Sequence, residues 1–355
     1  MGINETLGQY SELLMLSAAF VYLVAFVAFA WDMAVSSKTL RAVDARAAAA
    51  AAANRPEARV PAMVGGAAGS GERPLNPART GPDGLVQAAA ASREDDLRYT
   101  AVRRRAARIG VALTTVAFVI HAAAVVTRGI AATRVPWGNM YEFATTGALL
   151  VAGVFLATLI RRDLRFLGTF VVGLVLIMLC AATISFRTPV AQLIPALQSY
   201  WLVIHVSVAV FSSALFTLSF SMSVLQLLQS RREAAIAAGR SPRLSTFLGR
   251  VPSALTLENV SYRINAVGFV FWTFTLMAGA IWAESAWGRY WGWDPKEVWT
   301  FIIWVVYAGY LHARATRGWT GTRAAWLSIV GYLCVIVNFT VVNTVINGLH
   351  SYSGV

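Results

Sequence analysis

Charge is what this sequence has least of. Only 13% of its 355 residues are Asp, Glu, Lys or Arg, about half the roughly 25% of an ordinary soluble domain. A chain so poor in charge cannot clothe a soluble surface of its size, and hydrophobic residues, at 57%, take up the difference. Cysteine is nearly absent. Cys180 and Cys334 both lie inside apolar runs, where a thiol is a small hydrophobe rather than a disulfide half or a metal ligand. Acidic residues are the scarcer sign, 17 against 30 basic, for a net charge of +13. That excess does not point to nucleic acid, which needs a basic face on a folded domain. Here the basic residues gather in a few segments between apolar runs, as the positive-inside rule places them. No cleavable leader is expected either: the first run, Leu13 to Ala30, has no basic region before it and reads as a retained helix.

What is present is a series of apolar runs near twenty residues, enough to cross a hydrocarbon core of about 30 Å at about 1.5 Å per residue. The pattern predicts an all-α, polytopic membrane helix bundle of about eight transmembrane helices. They are expected at 12–33, 107–132, 142–160, 166–186, 200–228, 264–284, 297–315 and 325–346. Every second connection is basic: Lys38 to Arg105, Arg161 to Arg165, Arg231 to Arg250, and Arg314 to Arg323. These fall on the cytoplasmic side, so both termini are expected on the outer face of the plasma membrane. Three parts follow: an N-terminal transmembrane helix (1–35), a basic linker (36–104) and a membrane domain (105–355). The linker is rich in Ala, Gly and Pro and poor in aromatics, a composition expected to be disordered.

The outward connections carry the aromatic residues. The densest segment, 282–299, reads Trp282-Ala-Glu-Ser-Ala-Trp287-Gly-Arg-Tyr-Trp291-Gly-Trp293-Asp294-Pro295-Lys296-Glu297-Val-Trp299. One reading is an interfacial belt, since indole favours the headgroup region. The other is a platform, because flat indole faces bury a large planar apolar ligand at little entropic cost and glycines admit close backbone approach. Five tryptophans in this stretch exceed what anchoring needs, and the platform reading is favoured. If 287–291 is helical, Trp287 and Trp291 share a face. Asp294-Pro295-Lys296-Glu297 also has the pattern of a capping box, with Pro at the first helical position. Asn139-Met140-Tyr141-Glu142 has the pattern of an N-cap.

These strings resemble a known family. Trp287-Gly-Arg-Tyr-Trp-Gly-Trp-Asp-Pro-Lys-Glu297 is similar to the WWD signature of haem-handling proteins of cytochrome c maturation, in particular the CcsA/ResC subunits (CcsB in actinobacteria) of the system II cytochrome c synthase. Pro136-Trp137-Gly138-Asn139-Met140-Tyr141-Glu142, Leu257 to Arg263 before the sixth helix, Trp201 to His205 and Gly348 to Tyr352 extend the resemblance over 105–355. It implies a platform for haem b in which Trp287, Trp291, Trp293 and Asp294 contact the cofactor. The chain has no CxxCH of its own, so covalent haem belongs on another protein.

Four histidines are present: His121, His205, His312 and His350. A single buried histidine is as often a packed residue as a ligand, but ionisable groups at membrane depth tend to mark function. His205 and His350 fall on the outward side with the Trp segment, and two imidazoles can ligate one haem iron. The resemblance assigns them that role. It also implies a second, intramembrane haem between His121 and His312. On straight helices those two sit at different depths, which leaves that pairing open. The expected function is a membrane subunit that presents haem on the outer face and supports thioether attachment to an apocytochrome CxxCH, acting within a holocytochrome c synthase (haem lyase type) complex. Haem delivery without covalent chemistry and a haem-bearing electron-transfer subunit are the alternatives. Implied partners are a CcsB/ResB-type subunit, the apocytochrome, thioredoxin-like reductants indirectly, and membrane lipid. Arg128, Arg134, Arg187, Arg289 and Lys296 are candidates for the haem propionates, and no acid–base residue stands out as catalytic.

Overall fold

The computed structural model describes residues 3–53, 105–193, 197–239, 248–249, 251–316 and 319–350. Among the described residues it is all-helical: α1 (Glu5–Ala53), α2 (Arg105–Ala132), α3 (Met140–Arg161), α4 (Gly168–Ser185), α5 (Tyr200–Ala237), α6 (Ala254–Trp287), α7 (Pro295–Thr316), α8 (Thr322–Phe339) and the single turn α9 (Val341–Thr344). Seven of these are long and apolar enough to cross a membrane. The eighth long helix, α7, carries Lys296, Glu297, His312 and Arg314 near its ends. The chain is a polytopic membrane helix bundle.

Local chemistry sets the helix ends. Asn139 caps α3 by accepting the Glu142 amide at 2.9 Å, and Ser199 and Ser253 cap α5 and α6 in the same way. Glu297 Oε2 reaches back to the amides of Gly292 (2.8 Å) and Asp294 (3.0 Å), and Asp294 Oδ2 accepts the Lys296 amide at 3.2 Å. This is a reciprocal capping box. Some limits differ from expectation. The sixth helix begins at Ala254, so Leu257 to Arg263 lies inside it rather than before it. Its first turns are held by Glu258, which takes Arg314, Gln226 and the Gly321 amide. Helix α1 runs to Ala53, into the stretch expected as linker, and 54–104 lies outside the described residues.

Two apolar cores meet on α5. One joins α1 to α4 through residues such as Tyr22, Ala117, Phe155 and Leu179, with Leu218 of α5 closing it. The other stacks Phe216 of α5 on Tyr307 of α7, ring centroids 3.8 Å apart, with Trp272 and Tyr332 around them. Between α5, α6 and α8 runs a buried hydroxyl seam, including Ser219–Ser261 at 2.7 Å and Asn265–Ser328 at 3.0 Å. Such bonds hold helices together where no hydrophobic driving force exists. The connections expected to face outward share one end of the bundle. Asn4 donates to Ala131 O at 3.0 Å, Arg134 reaches Ala191 O at 2.8 Å, and His350 reaches Asp294.

Candidate functional site

At that end the helices part around a cavity of about 1070 Å³, including its open mouth. Its wall is largely indole and phenyl: Trp137, Trp272, Trp282, Trp287, Trp291 and Phe339. His205 enters from the first turns of α5 and His350 from the tail beyond α9. The buried Trp282 ring lies between them, 5.8 Å from His205 (stacked) and 5.7 Å from His350 (edge-on). Trp287 stands 5.0 Å from both Trp282 and His350. Two imidazoles separated by 145 residues therefore share one aromatic chamber.

Each imidazole is held by its Nδ1. His205 Nδ1 donates to the Thr275 carbonyl at 3.0 Å, and its ring lies on Gly279, where a Cβ would fall 2.7 Å from Cε1. Gly279 is thus a close-approach glycine. His350 Nδ1 donates to Asp294 Oδ2 at 2.8 Å. Burial alone would raise the Asp294 pKa, but the hydrogen bonds from His350, Leu349 and Lys296 hold it below the ordinary carboxylate range. Burial pushes the His350 pKa down, against the pull of Asp294. With Nδ1 as the donor, the neutral form of either ring is the Nδ1–H tautomer. In that tautomer Nε2 carries the lone pair on both rings, which is the state a metal-ligating histidine needs.

The Trp segment divides in two. Helix α6 ends at Trp287, and Gly288 takes the left-handed conformation, φ 70°. Residues 288–291 are therefore not helical, and Trp287 reaches the cavity from the last position of α6 while Trp291 reaches it from the turn beyond, so the two do not share one helix face. Trp293 has φ 60°, does not line the cavity, and is 71% exposed. Asp294 does not line the cavity either; it acts from behind His350. Lys296 does line it, with Nζ held by Asn338 O and Asn343 Oδ1, both at 2.8 Å.

Three of the five propionate candidates are engaged elsewhere. Glu142, with no exposed surface, accepts Arg128 Nε at 3.0 Å, Arg134 Nη1 at 2.7 Å and the Gly138 amide at 2.8 Å. Arg187 pairs with Glu12 at 2.6 Å. Arg289 lies over Gly292.

His121 and His312 are not brought together. His121 is wholly covered between α1 and α2, edge-on to Tyr22 at 5.9 Å. His312 is exposed on α7, whose neighbours are α6, α8 and α9. Neither ring nitrogen of His121 has a hydrogen-bond partner among the described residues. Trp272, Thr275 and Gly279 were not singled out from the sequence. Their spacing of three or four along α6 is the signal that marks one helix face.

Fold and site define a polytopic membrane protein with an aromatic, histidine-flanked chamber at one end. The sequence matches the cytochrome c assembly protein family over residues 137–350. A cytochrome c biogenesis protein CcsA of Guillardia theta is 34% identical over 259 residues, covering 69% of this chain and 85% of that protein. The CcsA of Prochlorococcus marinus is 35% identical over 263 residues, covering 66% and 80%. A solved chain described as Cytochrome c Heme Lyase CcmF overlays with a TM-score of 0.47 at 19% identity, covering 76% of this chain and 49% of that one. The chain belongs to the cytochrome c assembly protein family, as a CcsA-type cytochrome c biogenesis subunit.

Proposed function

We propose that this membrane subunit binds haem b in the chamber between His205 and His350 and presents it, outside the cytoplasm, for thioether attachment to an apocytochrome CxxCH. The observation that carries this is the pair of imidazoles, each anchored through Nδ1, opening on one indole-walled cavity. The basic connections at the far end of the bundle support an outward-facing chamber. When bound, haem supplies the two vinyl groups that accept the cysteine thiols. The chain supplies orientation: Trp282, Trp287 and Trp291 confine a planar ring, and holding two vinyls in register with two sulfurs is an entropic contribution. Lys296 is the cation at the wall suited to a propionate. An apocytochrome and a ResB-type partner subunit with an outer domain complete the system, with thioredoxin-like reductants keeping the thiols reduced.

The absorbance spectrum tests the reading. Protein purified with haem available is expected to show a low-spin, bis-histidine Soret band, and a clean preparation with no Soret band ends the proposal.

The tryptophans make a finer forecast. Trp287→Ala and Trp291→Ala are expected to weaken haem binding about 2–10-fold beyond the burial lost, from aromatic contacts of about 0.5–1.5 kcal/mol. Trp293→Phe, outside the chamber, is expected to leave haem content unchanged. Equal haem content in all three, measured by pyridine haemochrome per mole of protein, returns the segment to a membrane belt.

A further inference from the structure

The two chamber histidines differ in what stands behind them. His350 Nδ1 donates to the Asp294 carboxylate at 2.8 Å, and the same side chain takes the Leu349 amide at 2.6 Å and the Lys296 amide at 3.2 Å. His205 Nδ1 donates to a neutral acceptor, the Thr275 carbonyl within α6, at 3.0 Å. From this asymmetry we infer that Asp294 is a positioning residue that makes His350 the stronger, retained axial ligand of the chamber, and that His205 is the ligand that yields to an incoming imidazole. The inference rests on the haem reading above and deepens it.

The reason is the electron density at Nε2. A carboxylate behind an imidazole fixes its tautomer and raises its basicity, and losing such a partner typically costs about 10–100-fold in metal affinity. A backbone carbonyl fixes the tautomer as well but carries no net charge, so His205 is the weaker donor. With haem held here, exchange at His205 would need only its one ligand bond broken as the CxxCH imidazole donated its own lone pair, with no electron or proton transferred. Mobility of the tail does not reverse the order. The tail is pinned to Asp294 through two consecutive residues, and Gly348 packs so closely that a Cβ there would fall 2.6 Å from Asp294 Oδ1. His350 is therefore seated rather than swinging.

Resonance Raman spectroscopy on the haem-loaded full chain separates the two ligands. Carbon monoxide added to the ferrous protein displaces the weaker histidine, and photolysis then exposes the iron–histidine stretch of the one retained. Asp294→Asn and Asp294→Ser both keep an N-cap for α7 but remove the charge behind His350. Each is expected to lower that stretching frequency and to raise the haem dissociation constant about 10–100-fold. His205→Gly leaves Asp294 untouched and is expected to give the wild-type band. A Soret band with an iron–histidine stretch unmoved in the Asp294 variants, or changed in His205→Gly, overturns the inference alone. A wild-type protein with no Soret band overturns the haem reading and this inference with it.

Discussion

Cytochrome c assembly is expected to fall to background in His205→Ala and in His350→Ala, with the protein still present in the membrane. The two residues contribute little to the fold. The Nδ1 hydrogen bond is worth about 0.5–1.5 kcal/mol net for His205 and about 1.5–3 kcal/mol for His350, whose acceptor is a carboxylate, and each lies at the edge of the bundle where a truncated side chain opens onto an existing cavity. What they supply to the chamber is two imidazoles lining one cavity, and the Trp282 indole cannot replace either. Added imidazole is expected to restore part of the activity, because a free ligand can enter the vacated space. Immunoblots for the membrane protein and haem staining of the cytochromes measure both halves of the result. Covalent cytochrome c at wild-type level in either variant removes these residues from the site.

Glu142→Ala is expected to act in the opposite way, on the fold rather than on the chemistry. Glu142 is fully buried and Arg128 is 1% exposed, so the substitution leaves a guanidinium in the membrane end of the bundle without its counter-charge. Breaking a buried pair by removing one partner costs about 3–5 kcal/mol. The loss extends to Arg134 and to the Gly138 amide, which share the carboxylate, and so to the turn that carries Trp137 to the chamber wall. Low accumulation and a lowered midpoint in thermal unfolding are the measured outcome. Arg187→Ala is the control: its ion pair with Glu12 is exposed, and exposed pairs are worth about 0–1 kcal/mol. Equal stability in the two variants removes the Glu142 cluster as a structural clasp.

The helices were legible because their signal is local. An apolar run of membrane-crossing length, a Ser or Asn before it and a basic turn after it fix an element without reference to any other. Where a boundary was misjudged, a long-range partner had intervened. The sixth helix starts ten residues earlier than its apolar run because Glu258 is paired with Arg314, 56 residues away. The Trp segment was legible as a composition, but not as a shape. The left-handed residues Gly288 and Trp293 turn the chain twice, sending Trp287 and Trp291 inward and Trp293 outward, and period alone cannot foresee that.

The sequence by itself determined the membrane class, the eight long helices and the aromatic connections that gather at one end of the bundle. Hydropathy and capping act within a few residues, so one chain read in order contains them. Only the tertiary structure decided which ionisable groups are partners. Asp294 reads as a helix cap in sequence and is one, yet its second oxygen holds His350 from 56 residues away. Arg128 and Arg134 read as cations awaiting a ligand until the buried Glu142 takes both. His121 and His312 read as a pair until α2 and α7 are found among different neighbours. Which helix lies against which is set by side-chain packing summed over whole helix faces, as where Gly279 admits the His205 ring, and that sum exists only once the bundle has closed.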